Sequence, residues 1–274
     1  MTPSGAEAEQ LIEDFGLMLP IKPREVCEQV STKEVEVEYS EILFDSEDIC
    51  GLSIGNGQKI KVVINSGINN SGRRNFTGAH EIGHVVLHIQ KNIQSEFSCT
   101  NHDISNANKT NSIYEKEANA FASSLLMPKY LLGKAVLRND LTWALIQDLA
   151  IKCKTSLEAA ARRVIKLSDE SCALVIHKKG EMWAPIRSAS FNGYIDTIDF
   201  PKGLVTNPDE PGSGYPDYLN ECDATDWFRD KKKLPEIIQY LSIYNELYDR
   251  RMTLIVVPEE EDEDVDDGWD EPHF

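Results

Sequence analysis

Apolar positions recur at helical spacing over residues 6–15 and again over 23–30, with Pro20 breaking the run between them, which predicts two short helices. The period then changes. Val35, Val37 and Tyr39 alternate with charged residues, and 51–54 and 60–64 are short β-branched runs bounded by Gly, Asn and Ser, so a small antiparallel sheet is expected. The loop SGINNSG leads into a helix over about 73–88, and a second helix over about 113–127 is stopped by Pro128. Between these helices the polar stretch 90–112 shows no clear period and is too long for a simple connection, so it reads as a substrate-side flap or a mobile loop. Two amphipathic helices follow within 141–167, joined near 154–156, and strand-like runs return at 173–177, 182–186 and 252–257. The order of elements predicts an α+β chain with a boundary near Ser168, and there is no internal repeat of about 20–50 residues.

Composition narrows this picture. The chain has 274 residues, enough for one large domain or two modest ones. No apolar run approaches the roughly 20 residues of a membrane helix, and the opening MTPSGAEAEQ has neither a basic nor an apolar export segment, so a cytoplasmic location is expected. The excess of 46 acidic over 28 basic residues opposes non-specific attraction to nucleic acid or anionic lipid, so no direct nucleic-acid or membrane partner is expected. Much of that charge sits in EEEDEDVDDGWDEPHF, residues 259–274, a like-charge run that predicts a disordered tail. Six cysteines without any C-x-x-C pair read as buried thiols, with neither a disulfide nor a cysteine-based zinc site.

The chemistry lies in His80-Glu81-Ile82-Gly83-His84, an H-E-x-x-H pattern. At about 100° per residue, positions 80 and 84 fall about 40° apart on adjacent turns, so two imidazoles can reach one metal. Glu81 lies about 100° from His80, where it can act on a water as general base without ligating. Apolar residues fill the rest of the circumference, so the helix is expected to be buried with its polar edge facing a cleft. A catalytic zinc takes three protein ligands and leaves one position for water. The metzincin spacing is excluded, because Leu87 and Gln90 stand where it needs Gly and His. His88 lies about 12 Å beyond His80 on a straight helix and reads as core or as support for a ligand. On the next helix Glu115 and Asn119 share a face with Ala118, Ala122 and Leu126, whereas Glu117 points about 160° away towards water. This favours Glu115 over Glu117 as third ligand, with Asn119 holding a neighbouring group by hydrogen bond.

Through INSGINNSGRRNFTGAHEIGHVVLH and EKEANAFASSLLMP the chain closely resembles the ImmA/IrrE family of metallopeptidases, from Val35 to about Leu167. The stretches SCALVIHKKG and RMTLIVVPEE look like the C-terminal part of the family's longer members. The resemblance implies a zincin-like core at 1–168 with a gluzincin-like Zn2+ site of His80, His84 and Glu115 and Glu81 as catalyst, then a smaller α+β regulatory or substrate-recognition region at 169–258. Asn119 stands where related gluzincins often have aspartate. Similar proteins cleave a partner, often a helix-turn-helix repressor of a mobile element or stress response, and some are toxins restrained by such a partner.

The reaction expected is zinc-dependent hydrolysis of a peptide bond in a protein, with Tyr114 or His102 as candidate donors to the oxyanion. Two other readings stand beside it. One is a zinc-fold sensor that regulates a partner without cleaving it, against which an intact Glu81 argues. The other is a zinc hydrolase acting on a small amide or cell-wall peptide, which the lack of an export segment disfavours. The pair of helices within 141–167 has helix-turn-helix rhythm but reads as packing within the peptidase unit. Trp183, Phe191, Trp227 and Phe228 form either a recognition surface or core.

Overall fold

The computed structural model describes residues 2–258 except 47, 56–57, 101–102, 104–111, 137–139, 180, 196–204, 209–213 and 229–233. The acidic tail and His102 therefore lie outside the described residues. The chain separates into two compact units, Met1–Leu167 and Ser168–Phe274. The α+β architecture expected from the sequence holds for the chain as a whole.

In the first unit, α1 (Pro3–Phe15) and α2 (Pro23–Val30) precede the sheet, each opening on a proline, whose fixed φ and missing N–H suit a helix start. Strands β1 (Glu36–Ile42), β2 (Ile49–Gly55), β3 (Lys59–Asn65) and β4 (Glu96–Thr100) form a four-stranded sheet in the order β1-β3-β2-β4. Ile60, Val62 and Ile64 are fully buried between more exposed neighbours, the alternation of a half-buried strand. The sheet is mixed where alternation had suggested an antiparallel one. β2 pairs antiparallel with β3 and with β4, but β1 lies parallel to β3, because the chain passes from β1 to β2 two positions across the sheet and returns as β3 between them. Alternation fixes which side chains face the core and leaves strand direction open. β4 itself arises inside the polar stretch that shows no clear period.

Helix α3 (Ser71–His84) is capped by Asn70, whose side chain accepts from Arg73 N at 2.9 Å. It continues as a π-helical turn, Val85–Ile89, closed by Gln90 N to Val85 O at 2.9 Å, where an unbroken α-helix had been expected. Helices α4 (Ile113–Leu126), α5 (Lys129–Val136), α6 (Trp143–Cys153) and α7 (Leu157–Leu167) complete this unit. The turn between α6 and α7 runs through Lys154 at φ 50°, a left-handed C-cap.

In the second unit β5 (Cys172–Lys178), β6 (Glu181–Arg187), β7 (Val205–Thr206), β8 (Asn220–Asp223), β9 (Ile237–Asn245) and β10 (Arg250–Val256) form a six-stranded sheet, β6-β5-β10-β9-β7, with β8 also on β9. One face of it packs Val175 and Ile255 against Phe191, Trp227 and Phe228. These three aromatics are at most 7% exposed, so they are core rather than a recognition surface; Trp183 is half-buried beneath Lys178. No helix among the described residues is long and apolar enough to cross a membrane. No disulfide joins the six cysteines, all of which are described.

Candidate metal centre

Helices α3 and α4 can approach closely because Gly83 faces Ala118. A Cβ at Gly83 would lie 3.1 Å from Ala118 Cα and 3.3 Å from its carbonyl oxygen, so the helices would have to give by a few tenths of an ångström. That approach brings Glu115, in the first turn of α4, to both histidines of α3. Glu115 Oε2 lies 3.1 Å from His80 Nε2, and its Oε1 lies 3.4 Å from His84 Nε2. The two Nε2 atoms are 3.1 Å apart. A fourth group joins them from β4. Cys99 Sγ stands 3.1 Å from His80 Nε2 and 3.3 Å from His84 Nε2. The ligand atoms of His80, His84, Cys99 and Glu115 all lie within 4.8 Å of one another, and all four residues are buried.

The surrounding hydrogen bonds decide where the imidazole protons are. Asn119 Nδ2 donates to the carbonyl of Asp103 at 2.9 Å, which turns Oδ1, an acceptor only, towards His80 Nδ1 at 3.1 Å. His80 therefore carries its proton on Nδ1 and directs the Nε2 lone pair inward. Along α3, the Glu117 carboxylate is 3.0 Å from His88 Nε2, and His88 Nδ1 is 3.1 Å from His84 Nδ1. A carboxylate only accepts, so His88 donates from Nε2, accepts at Nδ1 and takes the proton of His84 Nδ1. The Nε2 lone pair of His84 is thereby also directed inward. Two lone pairs facing each other at 3.1 Å beside a carboxylate and a thiol repel unless a cation lies among them. The residues present thus fit a divalent metal, and two imidazoles, a thiol and a carboxylate suit zinc.

The electrostatics agree. Burial opposes a charge on His80, yet Glu115 and Glu81 hold its pKa above the ordinary value. His84 is pushed down to about 4 by burial and by the neighbouring His80 charge. Glu115 stays ionised well below the usual carboxylate range; burial would raise it, but His80 and His84 outweigh that. The pocket favours one positive centre beside the Glu115 carboxylate and holds the second imidazole neutral.

Glu81 is fully buried on the adjoining face of α3. Ser53 Oγ on β2 donates to its Oε2 at 2.5 Å, while its Oε1 has no hydrogen-bond partner. Gly51 makes room for this carboxylate: a Cβ there would come within 2.8 Å of Glu81 Cγ. Burial raises the Glu81 pKa, and His80 and Ser53 offset only part of the effect.

The structure thus brings His80, His84 and Glu115 together, with Glu81 beside them and Asn119 and His88 each bonded to one histidine. Tyr114 is half-buried and packs edge-on against His88 at 4.9 Å. Glu117 faces water with 40% of its side chain, as expected, and also bonds His88. The polar edge of α3 is enclosed where a cleft had been expected: His80, Glu81 and His84 are wholly buried, and Phe97 of β4 stacks on His84 at 4.1 Å. Cys99 is the group that sequence reasoning missed. Its signal was the alternation of Phe97 and Cys99 with the exposed Glu96 and Ser98.

Residues 41–164 match the Peptidase M78 family, described as an IrrE N-terminal-like domain. The chain carries a domain of this family. The resemblance drawn from the H-E-x-x-H and EKEANAFASSLLMP stretches is borne out, and the M78 match spans β2, β3 and β4 and both helices of the centre. No curated protein matches the chain significantly. Among solved structures, a Mycobacterium tuberculosis transcriptional regulator is similar at a TM-score of 0.51 and 12% identity, over 94% of this chain and 77% of that one. At that identity the likeness concerns the fold alone.

Proposed function

We propose that the M78 domain is a zinc-dependent endopeptidase that hydrolyses a peptide bond in a protein regulator, of which a helix-turn-helix repressor or antitoxin-like protein is the expected type. The observation that carries this reading is the pair of inward-facing Nε2 lone pairs, 3.1 Å apart, beside a buried glutamate with a free oxygen. His80, His84 and Glu115 would hold the ion, which supplies Lewis acidity towards a water and the scissile carbonyl. Ser53 holds Oε2 of Glu81 and leaves Oε1 to take the proton of the attacking water. As the water oxygen bonds to the carbonyl carbon and the C–N bond breaks, Glu81 returns that proton to the leaving amine. Asn119 and the His88–Glu117 pair keep both imidazoles in the ligating tautomer.

All of these groups lie in the first unit, which favours a regulatory or substrate-recognition role for 169–258. Six cysteines without a disulfide suit a reducing, cytoplasmic setting. Full burial of the site favours one other reading, in which the domain senses or binds a partner without cutting it. The deciding experiment measures bound zinc in the wild type and Glu81→Gln and incubates each with the helix-turn-helix protein encoded beside the gene. The peptidase reading expects equal zinc and cleavage lowered about 10²–10⁴-fold in Glu81→Gln. Binding without cleavage by either protein would establish the sensor reading.

A further inference from the structure

We propose that Cys99 is a fourth protein ligand in the M78 centre, so that the arrangement seen here is a closed form whose strand β4 must withdraw the thiol before water and substrate can enter. The inference rests on the metal-site reading given above and goes beyond its three-ligand set.

Geometry comes first. A tetrahedral zinc with Zn–N near 2.0 Å and Zn–S near 2.3 Å separates its ligand atoms by about 3.3–3.6 Å. Cys99 Sγ is 3.1 and 3.3 Å from the two imidazole nitrogens, and the nitrogens are 3.1 Å apart, so these three atoms stand at nearly the separations of a zinc shell, with the Glu115 carboxylate completing a group of four within 4.8 Å. A buried cysteine usually behaves as a small hydrophobe among apolar neighbours. Here the thiol instead faces two nitrogen lone pairs. The Glu81 carboxylate lies beside the same thiol and interacts with it, and its Oε1 is fully buried with no hydrogen-bond partner, a costly state that marks this as a site built for a ligand.

Placement on β4 explains how the position opens and closes. Cys99 pairs with Gly51 beside a register shift between Ile49 and Gly51, and such bulges re-aim side chains. β4 is an edge strand that, among the described residues, pairs with β2 alone, and it is short, so displacing it breaks one ladder. With the thiol in place all four positions are taken by protein. With β4 displaced three ligands remain, the number that leaves one position for water.

The test uses the full-length chain loaded with cobalt(II) or zinc. Wild type with cobalt should show a thiolate-to-cobalt charge-transfer band that disappears in Cys99→Ala while one cobalt per chain stays bound. Zinc-edge X-ray absorption on the wild type, which needs no variant, should show a sulfur neighbour near 2.3 Å. Acetohydroxamate should perturb the cobalt bands of Cys99→Ala at concentrations about ten-fold lower than for wild type, since a dominant closed form lowers apparent affinity in proportion. Cobalt bound without a thiolate band and zinc without a sulfur shell would overturn the proposal and leave the metal site standing. A sulfur signal that persists in Cys99→Ala overturns it in favour of another thiol, and equal hydroxamate affinity overturns the closed form. Failure of the wild type to bind either metal would remove the metal reading and this inference together.

Discussion

The two units of the chain bury opposite kinds of side chain. In the first, the most deeply enclosed helix carries His80, Glu81 and His84 at 0% exposure, with Glu115 and Asn119 beside them. In the second, β5 is buried from Cys172 to His177 and its sheet packs on Trp227 and Phe228. An apolar core is stabilised by removing carbon from water, and any residue of similar shape serves nearly as well. A polar core gains nothing from burial alone. Each of its groups needs a partner of the right donor or acceptor type, and the partners here are directional enough to fix two histidine tautomers. The first unit is therefore specified by chemistry and the second by volume, and perturbations should separate them.

Trp227→Ala should have the largest effect on stability, lowering that of the second unit by about 3–5 kcal/mol through the cavity it leaves, with zinc per folded chain unchanged. Calorimetry and metal analysis on the same sample check this. A fall in zinc content would mean that the polar core depends on the apolar one. Chelation tests the converse: removing an ion present at about 100 times its Kd should cost the first unit about 2.7 kcal/mol and leave the unfolding of the second unit in place. Glu117→Gln frees His88 to adopt the other tautomer, so that His84 no longer has to donate from Nδ1, and zinc affinity should fall about 10–100-fold by competition titration. An unchanged affinity would show that the His84 tautomer is held by something other than the His88–Glu117 pair.

The smallest effect concerns pH. Burial, with Arg251 nearby, pushes the His177 pKa from 6.5 down to about 4 in the folded chain. The unfolded chain then binds more protons than the folded one between those values, so the second unit should lose stability as pH falls from about 6.5 towards 4. In His177→Gln that slope should be shallower, as read from thermal midpoints across the interval.

Much of the M78 centre was legible because it depends on local periodicity. The i, i+4 spacing of His80 and His84 places both on one helix face whatever the rest of the chain does, and the shared face of Glu115, Ala118 and Asn119 follows from the same 3.6-residue repeat. Glu117 is 40% exposed, as its helix face predicts, but its bond to His88 was not legible because it depends on how two helices far apart in sequence meet. Cys99 was missed because its position depends on β4 pairing with β2, a contact some 48 residues apart in sequence at Gly51 and Cys99.

The sequence by itself determined the helix that carries His80, Glu81 and His84, the helix face on which Glu115 and Asn119 lie, and the alternation that makes the sheets, since each is set within one or two turns or by side-chain period. Only the tertiary structure decided that β1 runs parallel to β3, that Gly83 against Ala118 brings the two helices together, that Phe191, Trp227 and Phe228 are core, and that a thiol from an edge strand enters the centre. These depend on which distant surfaces meet, and a one-dimensional pattern of polar and apolar residues does not encode that directly.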